Sequence, residues 1–215
     1  GWISRQGFIF TGITYPANIY DAIVIKHPQD VRCFSPVIKE SSHNLEEQIE
    51  LINREKIEKA MIIAENIDFI KKCPTLRYLR IIPAENAGDG FDYSPLYEMP
   101  EIKSLQCSTV YGAGERFFTE LDCERITGLQ DIHVTSRGYR NYKKISTLKS
   151  LELSGSNELP DLSFLKTMKS LKTFVFNMNV KDGDLSLCTG LSYVYSERNR
   201  KHYNLKNAEL PKGQY

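Results

Sequence analysis

Paired cysteines, long apolar runs and an excess of either charge are all missing from this 215-residue chain. The five cysteines, Cys33, Cys73, Cys107, Cys123 and Cys188, are odd in number and widely spaced, with no C-x-x-C pair. That excludes a disulfide framework and the usual zinc spacings, and it points to a reducing compartment. Lys plus Arg total 28 against 27 Asp plus Glu, a net charge of +1. Such a balance supplies no global field for nucleic acid or an anionic membrane, so neither partner is expected. No stretch approaches the roughly 18 to 20 apolar residues of a membrane span, and the run at residues 19–25 is broken by Asp21. The chain also lacks a signal-type opening and any N-x-Ser/Thr sequon, so a soluble cytoplasmic protein is expected.

Catalytic and metal-binding signatures are scarce as well. His43, followed by Asn44-Leu45-Glu46-Glu47, has no second histidine to complete a helical zinc site. The run Gly112-Ala113-Gly114-Glu115-Arg116 has neither the third glycine of G-x-G-x-x-G nor a Gly-Lys-Ser/Thr end, and reads as a flexible loop. No cofactor, no metal and no enzymatic activity are expected.

What is present is an ordinary globular composition, 41% hydrophobic and 26% charged, on a length that suits one core. Within it a pattern recurs. Apolar residues stand at n, n+3 and n+5 in Leu76/Leu79/Ile81, Ile102/Leu105/Cys107, Leu129/Ile132/Val134, Leu148/Leu151/Leu153 and Leu171/Phe174/Phe176. Weaker copies are Ile57/Ala60/Ile62 and Leu191/Val194. Position n−3 is apolar too in six of these seven units, as Cys73, Met99, Ile126, Ile145, Met168 and Cys188, with Arg54 the exception. Three of these thiols therefore sit in apolar columns and are expected to be buried and inert.

The starts lie 19, 26, 27, 19, 23 and 20 residues apart. With the segments Tyr93-Ser94-Pro95-Leu96 and Leu162-Ser163-Phe164-Leu165, this pattern resembles the leucine-rich repeat proteins, in particular the internalin-like subclass, over about residues 54–197. The resemblance implies an α/β fold: a leucine-rich repeat solenoid with a concave parallel β-sheet of about seven strands and atypical N- and C-terminal caps. Among the five clear units the family's Asn or Cys at n+8 occurs only as Asn179, while Asn157 falls one residue late, as does Asn66 in the first weaker copy. The turns are therefore expected to be looser than in a regular member.

Alternation along a strand sends n+3 and n+5 into the core and n+2, n+4 and n+6 to the opposite face. The expected binding surface is that opposite face, with Tyr78 and Arg80 toward its N-terminal end. Gln106, Asp131, His133 and Glu152 follow in the middle, then Val175, Tyr193 and Tyr195. Tyrosine and arginine are common interface anchors. His133, flanked by two carboxylates, is expected to titrate between about pH 6 and 7.

Three segments are expected: residues 1–53 as an N-terminal cap, 54–197 as the repeats, and 198–215 as a C-terminal cap or tail. In the first, strand-like runs at residues 7–11 and 19–26 precede a helix. That helix opens with an Asn44/Glu47 capping box and carries Leu45, Ile49 and Ile52 on one face. The last is locally basic, read as a solvated cap. The functional expectation is a non-catalytic, monomeric protein-binding module acting through the concave sheet, with the loops at 86–93 and 111–120 as secondary contacts. A bacterial cytoplasmic immunity protein that neutralises a cognate toxin fits this outline by analogy. The alternatives are an extracellular adhesion or virulence domain of the internalin type, or an enzyme using His133, Asp131 and Glu152.

Overall fold

The structure, a computed structural model, describes residues 23–26, 45–83, 87, 90–107, 120–135, 138–155 and 158–213. The expected strand at residues 7–11, the Asn44/Glu47 capping contact, Cys33 and the 112–116 glycine segment lie outside the described residues, as does most of the 111–120 loop.

The backbone builds an α/β fold around one eight-stranded sheet. Its strands are β1 (Ile23–Lys26), β2 (Lys59–Ala64), β3 (Tyr78–Pro83), β4 (Ser104–Cys107), β6 (Asp131–Val134), β8 (Ser150–Leu153), β10 (Thr173–Phe176) and β12 (Tyr193–Ser196). They neighbour one another in chain order, and every pairing is parallel. The eighth strand, beyond the seven expected, is β1, part of the strand-like run at residues 19–26, which pairs with β2. Between the main strands the chain passes through short 3-10 segments. There, β5 (Leu121–Asp122) pairs with β7 (Tyr139–Arg140), and β9 (Glu158–Leu159) with β11 (Asn179–Val180).

A local hydrogen-bond pattern explains the apolar columns. In each turn the n−3 amide donates to the carbonyl three residues earlier, and the amide of residue n donates to the n−3 carbonyl. Cys73 bonds Ile70 at 2.8 Å and Leu76 bonds Cys73 at 3.1 Å; Leu185, Cys188 and Leu191 repeat this at 2.9 and 3.1 Å. Side chains three residues apart eclipse one another in such turns, so both n−3 and n face the core. The chain then extends, and the pleat buries n+3 and n+5. Leu79, Leu105, Ile132, Leu151, Phe174 and Val194 are accordingly in register across six strands, and all are buried. The n−3 residues are buried as well.

Three of the 3-10 turns begin two residues after an aspartate. Asp92, Asp161 and Asp184 accept the amide hydrogens of Ser94, Ser163 and Ser186 at 2.8, 2.6 and 2.9 Å, which satisfies donors that a 3-10 start leaves free.

Side-chain hydrogen bonds, several of them from tyrosines, tie successive turns together. Asn179 donates its side-chain amide to the Glu158 carboxylate at 2.8 Å. The Tyr139 hydroxyl instead clips Cys107, accepting its N–H at 2.8 Å and donating to its carbonyl at 2.5 Å. Tyr203 does the same for Val180 N–H and Met178 C=O at 3.0 and 3.2 Å, and Tyr97 accepts the Asp122 amide at 3.0 Å.

At the N-terminal side, α1 (Leu45–Arg54) buries Ile49 and Ile52, keeps Leu45 partly buried against the core, and exposes Glu46 and Glu50. At the other end, residues 198–213 are tied to the body. Tyr203 packs against Phe176 with ring centroids 6.4 Å apart, and Leu210 is buried. The outer edge of β12 is covered: Val194 N–H donates to Pro211 C=O at 2.9 Å, Ser196 N–H to Asn207 Oδ1 at 3.0 Å, and Gly213 N–H to Ser192 C=O at 3.0 Å. This removes the free pairing edge that invites aggregation. Gly183, at φ 71°, permits the close approach of this segment, because a Cβ there would lie 2.4 Å from the His202 carbonyl oxygen.

Candidate functional site

The face opposite the core carries the expected columns in register. Arg80, Gln106, His133, Glu152, Val175 and Tyr195 occupy matching positions on β3, β4, β6, β8, β10 and β12, with Tyr78, Ser104, Asp131, Ser150, Thr173 and Tyr193 two residues before them. Most of these side chains are shielded from solvent, unlike those of the expected binding surface. Arg80, Gln106, His133, Glu152 and Val175 are buried, Glu152 to 1% exposure. Tyr78, Asp131 and Tyr193 are half-buried, and Tyr195 is exposed at 36%. Strand alternation decides which face a side chain takes, not whether solvent reaches it.

Burial also overturns the expected titration of His133. Its imidazole is pushed down to about 3, first by loss of solvent and then by the positive charge of Arg80, so it is neutral between pH 6 and 7. Glu152 is displaced the other way, up to about 9, by burial and by repulsion from Glu197. The 3.3 Å contact between His133 Nε2 and Glu152 Oε1 therefore joins two neutral groups at physiological pH. Asp131 is raised to about 6 by burial, against the pull of Lys149.

Ser154 is a neighbour that the sequence reading missed; its Oγ lies 2.6 Å from His133 Nε2. A serine, a histidine and a carboxylate thus meet, but not as a catalytic relay. Such a relay needs the acid on the imidazole nitrogen remote from the hydroxyl, whereas Ser154 and Glu152 both address Nε2. The arrangement is a polar cluster inside the sheet face, with Ser104 and Ser150 hydroxyls buried beside it and without hydrogen-bond partners among the described residues. Among the described residues no three His, Cys, Asp or Glu side chains converge as metal ligands. The thiols of Cys73, Cys107, Cys123 and Cys188 are buried, and burial raises each, Cys73 to about 11 and Cys123 and Cys188 to about 12.

The most exposed side chain of these columns is Tyr195, at the C-terminal end of the face. Tyr193 and Tyr195 project from β12, and Lys212 Nζ sits 5.4 and 5.2 Å from their ring centroids. The same ammonium donates to Val194 C=O at 2.6 Å and Asn207 Oδ1 at 3.0 Å, so it is fixed between the rings, and partial burial lowers its pKa. No signal in the local sequence marks Lys212, which lies seventeen residues beyond Tyr195.

Scans against protein-family models and curated proteins find no match to this chain. Among the described residues, no helix is long and apolar enough to cross a membrane.

Proposed function

We propose that this chain is a non-catalytic protein-recognition module of the leucine-rich repeat, internalin-like kind, with a cap at each end, and that it binds a protein partner through the C-terminal end of its sheet. The observation that carries the reading is the Tyr193–Tyr195 pair held by Lys212. Tyr195 is exposed and Tyr193 half-buried; rigid aromatic side chains flanked by a cation bind with little loss of side-chain entropy, and tyrosines are frequent hot spots. The buried Arg80 to Val175 row is the support behind this surface, not its contact layer. A cytoplasmic immunity protein that neutralises a cognate toxin remains the particular role we favour, on the strength of the resemblance alone.

The test is capture from native lysate and secreted fractions with the purified chain as bait, repeated with Tyr193→Ala/Tyr195→Ala. A stoichiometric partner whose affinity falls by about 30-fold, the effect of roughly 2 kcal/mol lost at a hot spot, supports the reading. A partner that inhibits growth until this chain is co-expressed supports the immunity role. Retention that ignores the tyrosines removes this face from consideration.

A further inference from the structure

The rim of the sheet from which the strands begin carries a row of cations. Position n+1 holds Arg77, Lys103, Gln130, Lys149 and Lys172, one residue before β3, β4, β6, β8 and β10. The backbone here is locked, because each n+1 carbonyl accepts two amides from the next turn: Arg77 C=O from Lys103 and Ser104 at 2.8 and 3.1 Å, Lys149 C=O from Lys172 and Thr173 at 2.9 and 3.0 Å, and Lys172 C=O from Ser192 and Tyr193 at 2.9 and 3.0 Å. The row is thus a fixed ladder with a spacing of about 4.8 Å.

Its charges are not equivalent. Arg77 is neutralised by Glu58 at 3.8 Å and Glu101 at 3.6 Å. Lys103, Lys149 and Lys172 make no ion pair within 4.0 Å among the described residues; Lys103 is half-exposed, and the other two are exposed. From Lys103 to Lys172 the row spans three strand spacings, about 14 Å, the length of roughly four residues of extended peptide. It ends beside Tyr193, whose amide shares the Lys172 carbonyl.

We infer that this rim binds an acidic, extended segment of the protein partner, with carboxylates on Lys103, Lys149 and Lys172 and the adjoining residues against Tyr193 and Tyr195. The inference rests on the recognition reading above and names the partner's chemistry. A protein segment fits better than a nucleic acid. Three cations without an ion pair among the described residues match a short acidic cluster, whereas a phosphate backbone draws its affinity from many neutralised charges, and the whole chain is only +1. Complementary charge of this kind acts mainly on the association rate and on the choice of partner.

The experiment is fluorescence anisotropy with a labelled glutamate decapeptide, and separately with a labelled ten-nucleotide thymidine strand, titrated with the full chain at low and physiological salt. Saturable, salt-sensitive peptide binding is expected. It should weaken at least tenfold in Lys103→Glu/Lys149→Glu/Lys172→Glu and also in the corresponding triple Gln variant, which avoids added repulsion near Asp131. A charge-matched control, Lys166→Glu/Lys181→Glu/Lys201→Glu, should stay within twofold of wild type. No saturable binding, an equal loss in the control, or tighter binding of the thymidine strand overturns the inference. A captured partner lost with the two tyrosines but kept by the lysine triples also overturns it while leaving the recognition reading standing. Lysine-dependent peptide binding with no tyrosine-dependent partner supports the rim and sinks that reading.

Discussion

Removing the hydroxyl of Tyr139 isolates a single hydrogen-bonding device in this fold. The group is buried, accepts the Cys107 amide at 2.8 Å and donates to the Cys107 carbonyl at 2.5 Å across 32 residues of sequence. Tyr139→Phe keeps the ring and so opens no cavity. The Cys107 N–H loses this acceptor, at a cost of about 1–3 kcal/mol. The carbonyl fares better, because the Thr135 hydroxyl also donates to it at 2.9 Å. The single variant should therefore lose about 2 kcal/mol, or roughly 4–8 °C in melting temperature for a chain of this size. Thr135→Val alone should cost less, since Tyr139 still serves the carbonyl. Together the two substitutions leave the carbonyl without either donor and should cost at least about 0.5 kcal/mol more than their sum. Urea titration followed by circular dichroism reads all three, with the midpoint falling and the slope unchanged. A loss under about 0.5 kcal/mol for Tyr139→Phe, or strict additivity in the double variant, would refute the assignment of the hydroxyl as a backbone clip.

Two further predictions concern the sheet face and its edge. Glu152 keeps its proton up to about 9 in the fold but loses it near about 4.5 when unfolded, so its contribution is complete below about pH 4.5 and erodes as pH rises through 9. His133 runs the other way: neutral in the fold down to about 3 and protonated below about 6.5 when unfolded, it contributes fully above pH 6.5 and loses that contribution as pH falls toward 3. In urea midpoints measured from pH 4 to 9, Glu152→Gln should gain on wild type toward high pH and His133→Gln toward low pH; parallel curves would contradict the burial argument. Lys212→Met should free the C-terminal segment from β12 and speed exchange of the Val194 amide at least tenfold, because the ammonium bridges Val194 C=O and Asn207. Unchanged protection by hydrogen-exchange mass spectrometry would mean that the backbone bond to Pro211 suffices.

Much of the sheet could be read directly because its rules are local. Apolar spacings of three, three and two translate into a 3-10 turn followed by a pleat, and the pairing of Leu79, Leu105, Ile132, Leu151, Phe174 and Val194 follows. The Asp-x-Ser turn starts at Asp92, Asp161 and Asp184 are equally local. The candidate site was legible in its columns but not in its accessibility: the same alternation that left Tyr195 exposed set Glu152 where solvent is excluded.

The sequence by itself therefore determined the register, the core-facing residues and the cations along the strand starts, since each depends on spacings of a few residues and the geometry of one turn. The tertiary structure alone decided that His133 and Glu152 are neutral, that Tyr139 and Tyr203 clip distant backbone groups, and that Lys212 holds the tyrosine pair. Desolvation and side-chain contacts spanning 17 to 32 residues depend on what packs together in space, and no short-range pattern encodes that.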